Sequence, residues 1–149
     1  LDHDIKEKGE YQFTTALENM KKKGAKFVPG QVTEWLDCGN KDNMVQTNQR
    51  YLEYIKDQPL VAASFKNINS KLIAPVFISE DVTLENCTVG PYVSIGENTS
   101  MKNTVISNSI IQSNCVIKDA KIANSMFGNF VNFEGQSSDA SLGDYSVVK

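Results

Sequence analysis

The feature that most constrains this chain is a recurrence of large apolar residues every five or six positions. From residue 73 the sequence can be written as short lines: IAPVF, ISEDVT, LENCT, VGPYVS, IGENTS, MKNTV, ISNSI, IQSNCV, IKDAK, IANSM, FGNFVN. The lines open at Ile73, Ile78, Leu84, Val89, Ile95, Met101, Ile106, Ile111, Ile117, Ile122 and Phe127, with Phe133 next. A second small or apolar residue often sits four later, as at Val82, Val93, Thr99 and Cys115. A helix repeats at 3.6 residues and an alternating strand at 2, so neither fits. A coil with three flat sides fits, each side a very short strand. One inward residue per side then stacks on its equivalent in the next coil. The run from Ile73 to Phe133 supplies twelve sides, hence about four coils. At about 4.8 Å per stacked strand the prism is roughly 20 Å long. Asn and Gly are frequent between the aliphatics, where corners need positive φ or side-chain bonds to the backbone. An antiparallel sandwich would instead call for longer alternating runs joined by two-residue turns.

The residues ahead of this repeat are of another kind. Of the first 58 residues, 19 are Asp, Glu, Lys or Arg, against 14 of the remaining 91, and Pro59 after Gln58 stops a helical pattern. Thr15 and Glu18 have the spacing of a capping box, followed by Leu17 and Met20 on one face, the Lys21–Lys23 run and Gly24 as a stop. Lys26 to Leu36 reads as a strand bent at Pro29-Gly30. From Asn40 to Lys56 the spacing of Met44, Val45, Asn48, Leu52 and Ile55 predicts a second helix.

Charge and composition remove several classes. A net charge of −3 leaves no basic surface for a phosphate backbone, so nucleic acid is not an expected partner. No apolar run approaches the roughly 20 residues that span a bilayer, and no signal peptide is visible. Cys38, Cys87 and Cys115 are odd in number and far apart, as expected of reduced thiols in a cytoplasmic protein. The chain opens Leu1-Asp2-His3-Asp4 without an initiator methionine, as a processed or truncated product would.

Two families are suggested by these strings. The repeat resembles the hexapeptide motif of left-handed parallel β-helices. Its hand is implied by that resemblance alone, because parallel crossovers are ordinarily right-handed. Upstream, "GEYQFTTAL" (Gly9 to Leu17), "EWLDCGN" (Glu34 to Asn40) and Thr47-Asn48-Gln49 resemble the last part of the sugar-phosphate nucleotidyltransferase domain, closest to glucose-1-phosphate thymidylyltransferases. That family has a G-E-x-Q-x-T segment, then W-x-D-x-G, then a helix containing Asn, and several members carry a β-helix behind. Thr15 stands where the family usually has aspartate.

The resemblance implies the following expectations. The fold is mainly β, a left-handed parallel β-helix of about four coils behind a small α/β remnant. Residues 1–58 form the C-terminal part of the nucleotidyltransferase domain, 59–71 a linker, and 72–149 the β-helix. The whole enzyme joins a sugar 1-phosphate to a nucleoside triphosphate, with glucose 1-phosphate and dTTP as the expected pair, and releases pyrophosphate. Mg²⁺ is the implied cofactor, Asp37 its ligand and Glu10 a substrate-binding residue. Trp35 is expected to pack beneath the Asp37 loop. The family's Gly-rich phosphate loop has no counterpart here, so the chain alone is expected to be inactive and to serve assembly or regulation, as a homo-oligomer. Apart from the resemblance, Asp37 reads as a turn former ahead of a helix. The alternatives are a hexapeptide acyltransferase, which needs a histidine base, and a non-catalytic oligomerisation module. His3 is the chain's single histidine and lies far from the repeats, and a three-histidine zinc site is excluded on ligand count.

Overall fold

The computed structural model describes Lys6 and residues 9–149, so His3 lies outside the described residues. The chain divides into two compact units, residues 1–35 and 36–149.

Within the first unit, helix α1 (Phe13–Lys22) begins at Gln12 without a side-chain cap. Thr15 and Glu18 therefore lie inside the helix, and the expected capping box is displaced from its start. The end follows expectation. Gly24 takes φ +93°, its N–H reaches the Lys21 carbonyl at 3.0 Å, and the Ala25 N–H reaches that of Met20 at 3.0 Å. This is the Schellman arrangement that closes a helix on a left-handed glycine. Lys26 to Leu36 forms no strand. An extended segment becomes a strand only with a neighbour to share its N–H and C=O groups. Among the described residues no strand lies alongside this one.

The second unit is a parallel β-solenoid of about five turns with helix α2 (Lys41–Ile55) ahead of it, an architecture consistent with the left-handed β-helix. Numbered in chain order, the first face carries β1 (Lys66–Ile68), β4 (Thr83–Glu85), β7 (Ser100–Lys102), the start of β10 (Val116–Ala123), β12 (Asn132–Ser137) and β14 (Val147–Val148). The second carries β2 (Lys71–Leu72), β5 (Thr88–Val89), β8 (Val105–Ser107) and the far end of β10, which runs through a corner with a register shift between Lys118 and Ala120. The third carries β3 (Val76–Ile78), β6 (Val93–Ile95), β9 (Ser109–Ile111), β11 (Met126–Phe127) and β13 (Ser141–Leu142). Every ladder between these strands is parallel, which removes the antiparallel sandwich.

The inward residues stack in three columns. Leu84, Met101, Ile117, Phe133 and Val148 form one. Leu72, Val89, Ile106 and Ile122 form the second. Ile78, Ile95, Ile111, Phe127 and Leu142 form the third. Eleven of the twelve line-opening residues are buried; the exception is Ile73, which is 36% exposed. Leu72 takes its place in the column, because the first coil is out of step with the repeat by one residue and a one-residue slip turns a side chain to the opposite face. The solenoid also runs beyond Ile73 and Phe133 at both ends, through β1, β13 and β14.

The corners repeat too. Asn69, Asn86, Asn103 and Asp119 hold φ between 48° and 54° on one edge. Asp81, Asn98, Asn114, Phe130 and Tyr145 hold φ between 55° and 61° on a second, and Tyr92, Asn108 and Asn124 hold φ between 41° and 62° on a third. Asn tolerates this left-handed conformation better than most residues. On the first edge the side chains also bond along the axis: Asn69 to Asn86 at 2.9 Å, Asn86 to Asn103 at 3.4 Å, and Asn103 to Asp119 at 2.7 Å. Phe130 and Tyr145 continue the second edge by stacking, with centroids 4.8 Å apart. Gly90, at φ +111°, stands where a Cβ would come within 2.0 Å of the Ile73 carbonyl oxygen, so no other residue fits.

Small polar groups fill the remaining interior and are satisfied locally. Thr104 donates to the Lys102 carbonyl at 2.9 Å, Ser109 to that of Ser107 at 2.7 Å and Ser125 to that of Ala123 at 2.6 Å. Each hydroxyl reaches the carbonyl two residues back, so burial leaves no orphan donor there. Cys87 and Cys115 occupy interior positions of the same kind.

Candidate functional site

The string that opens the second unit, Leu36-Asp37-Cys38-Gly39-Asn40, is a loop into α2. Asn40 is the N-cap: its Oδ1 accepts the Asn43 N–H at 2.9 Å, satisfying one of the free donors of the first turn. Asp37 is held from three sides. Its Oδ1 accepts the Gly39 N–H at 2.9 Å, an Asx turn. Its Oδ2 accepts Asn43 Nδ2 at 3.0 Å, and its carbonyl accepts the Thr47 hydroxyl at 2.8 Å. Gly39 permits this closeness, since a Cβ there would stand 3.2 Å from Asp37 Oδ1.

The turn-former reading and the ligand reading of Asp37 are therefore compatible. A carboxylate offers about four lone-pair positions. The Asx turn and Asn43 use one on each oxygen, which leaves room for a cation or water on the exposed side. Among the described residues no group of three or more His, Cys, Asp or Glu side chains is gathered to hold a metal ion. Asp37 on its own is no cage. It fits the way Mg²⁺ is commonly held, by one or two carboxylates with phosphate oxygens and waters completing the shell.

Other sequence candidates fare differently. Glu10 lies in the first unit, exposed, with Gln12 Nε2 at 3.5 Å from its Oε2. Trp35 is 81% exposed, so the packing expected of its indole is not present. Asn48 places its Oδ1 2.6 Å from the Ser94 hydroxyl, which donates to it, while its Nδ2 is enclosed without a partner. Of the two residues that grip Asp37, Asn43 was not among those the sequence pointed to, and Thr47 was, but only as part of the Thr47-Asn48-Gln49 string and with no role at Asp37. The available signal was their spacing of four on a helix that begins four residues after an aspartate.

Helix α2 is seated on the third face of the solenoid, against β6 and β9, with Val45 and Leu52 buried. At its start Lys41 Nζ donates to the Asn124 carbonyl at 3.2 Å and pairs with the carboxylates of Asp139 and Asp42. The hydrogen bonds it donates to Asp139 and Asp42 raise the pKa of the Lys41 ammonium above its ordinary value. Near its end Tyr92 donates to Glu53 Oε2 at 3.4 Å. Lys56 holds Glu53 below the usual carboxylate range through a 2.6 Å ion pair.

No family model matches this sequence. The chain is 25% identical to a glucose-1-phosphate thymidylyltransferase of Streptomyces antibioticus, over an alignment of 165 positions that covers 95% of this chain and 46% of the relative. It thus spans about half the length of the curated relative it matches. The similarity is distant. None of the described helices is long and apolar enough to cross a membrane.

Proposed function

We propose that this chain forms the C-terminal part of a sugar-phosphate nucleotidyltransferase, with dTTP and glucose 1-phosphate as substrates. The observation that carries the reading is one of order: the W-x-D-x-G string, an Asn-bearing helix and a parallel β-solenoid succeed one another, in a chain whose alignment to the thymidylyltransferase covers 95% of it. In the proposed reaction an oxygen of the sugar 1-phosphate attacks the α-phosphorus of the nucleoside triphosphate. The bond from that phosphorus to the β-bridging oxygen breaks, and pyrophosphate leaves.

Asp37 would be a ligand of Mg²⁺, which when bound offsets charge on the phosphoryl oxygens. The protein's contribution is to hold that carboxylate in place before substrate arrives. The Gly39 N–H and the Asn43 amide fix the plane of the carboxylate, and Thr47 fixes its backbone. Preorganisation of this kind avoids rearrangement during the reaction. The solenoid would serve as the assembly portion of a cytoplasmic homo-oligomer. An acyl-transfer reading finds no histidine base in the solenoid, since the single histidine is His3.

The test is a pyrophosphate assay. The 149-residue chain with Mg²⁺, dTTP and glucose 1-phosphate should release none, because the sequence holds no Gly-rich phosphate loop. The full-length protein bearing such a loop should release it with glucose 1-phosphate present. Robust turnover by the chain alone, or none by the full-length protein, would overturn the proposal.

A further inference from the structure

Helix α2 has two sides that do different things. Lys41, Val45, Asn48 and Leu52 recur at intervals of four, three and four, which places them in one stripe about 60° wide. That stripe is the seat on the solenoid. Val45 and Leu52 are buried, Ser94 bonds Asn48, and Lys41 is fastened to Asn124 and Asp139. Asn43 and Thr47 lie about 200–240° around the axis from Lys41, on the other side of the helix. These two hold Asp37.

The first turn is the vulnerable part. Its N–H groups have no intrahelical acceptors, and helix ends fray unless something holds them. Val45 and Leu52 secure the helix from its second turn onward. Ahead of Val45, Lys41 makes a hydrogen bond and an ion pair to the solenoid, and it is two residues from Asn43 and four from Asp37. We propose that Lys41 is a positioning residue: by tying the first turn of α2 to the Asn124 carbonyl and the Asp139 carboxylate, it fixes the carboxylate of Asp37 for a divalent cation. The inference rests on the reading of Asp37 as a cation ligand and deepens it, because it makes the solenoid a part of the site's scaffold. Asp139 and Asp42 are largely exposed, and exposed ion pairs contribute modestly. The effect of losing the tie is accordingly graded.

The experiment uses the 149-residue chain as wild type, Lys41→Met, Lys41→Arg and Asp37→Asn, labelled with ¹⁵N, with Mn²⁺ as the cation probe. The order parameter of the Gly39 amide should be near the rigid value of about 0.85 in wild type and fall toward the flexible range below about 0.6 in Lys41→Met. Lys41→Arg should restore it, and the Ile95 and Ile111 amides should not change in any variant. The Mn²⁺ concentration that halves the Gly39 signal should rise about fivefold in Lys41→Met. An unchanged Gly39 amide in Lys41→Met, or a loosening that includes Ile95 and Ile111, overturns the positioning role. The other premise is tested separately. If Mn²⁺ broadens Gly39 equally in wild type and Asp37→Asn, the cation reading of Asp37 falls, while the order parameters still decide whether Lys41 holds the loop.

Discussion

Ile95 stands in register with Ile111 on adjacent parallel coils, and the two are 0% and 1% exposed. Replacing either with Ala should cost about 2–5 kcal/mol, from lost burial and the cavity left in a stack that cannot collapse around it. Asp at either place should be worse, since an unpaired charge would enter a dry column. Urea or thermal melts measure both. Wild-type-like melting of the Asp variants would contradict the column assignment.

The corner ladder makes a second prediction. Asn103 holds φ at 51°, accepts from Asn86 and donates to Asp119. Asn103→Gly keeps the conformation and loses both bonds, each worth about 0.5–1.5 kcal/mol. Asn103→Ala must also occupy the left-handed region, at about 1–2 kcal/mol, partly offset by glycine's larger unfolded-state entropy. Urea midpoints should therefore fall in the order wild type, Gly, Ala. An Ala variant as stable as wild type would show that the corner imposes no conformational demand.

What the sequence disclosed divides along physical lines. The three core columns were legible because an inward residue recurs on every side of the coil, and burial enforces that pattern from Ile78 to Phe133. Ile73 misled because one step of slip exchanges it with Leu72, and both are aliphatic. Corners at Asn were readable from residue type. Those at Tyr92, Phe130 and Tyr145 were not, since neighbouring coils impose a conformation these side chains do not prefer. The Lys26–Leu36 strand failed for a complementary reason: local propensity was present, and among the described residues no neighbouring strand was. At the candidate site, Asp37 was visible through a family motif and Asn40 through its place before a helix. Asn43 and Lys41 were hidden, and so was the hold of Thr47 on Asp37, because these roles depend on which face of α2 meets the solenoid.

The three thiols should separate by reactivity. Cys38 is exposed, whereas burial pushes the Cys87 and Cys115 thiols up. A disulfide reagent should titrate one thiol rapidly and two only on unfolding. The pH dependence follows in sign. A thiol with a folded value above its unfolded one, near 8.5, contributes stability that is whole below about pH 8.5 and declines as pH rises beyond it. Lys41, Lys56 and Lys102, all raised by the hydrogen bonds they donate to acidic partners, act in the same direction at still higher pH. The urea midpoint should fall from about pH 8 to about pH 10. A flat or rising midpoint, or three thiols reacting together, would contradict the buried placement.

Association is expected at the far end of the solenoid. Strands β13 and β14 each pair with one neighbour, and Tyr145 and Val147 are exposed beside them. Open sheet edges with apolar side chains recruit further chains. Light scattering coupled to gel filtration should give at least a dimer at micromolar concentration. A monodisperse mass near 16.5 kDa across a dilution series would refute this.

The role of Asp37 is tested most directly by Asp37→Asn in the full-length enzyme proposed here, with pyrophosphate release followed as Mg²⁺ is varied. The substitution keeps the size of the side chain and removes the charge available to a cation; its amide oxygen can still accept the Gly39 N–H, the Asn43 side-chain amide can turn to accept from the new NH2 group, and Thr47 still holds the backbone. Turnover should drop on the order of 10²–10³-fold, the usual effect of losing one preorganised electrostatic element, with an unchanged melting temperature. Unchanged turnover at limiting Mg²⁺ would make Asp37 a turn former alone and contradict the proposed function of the loop.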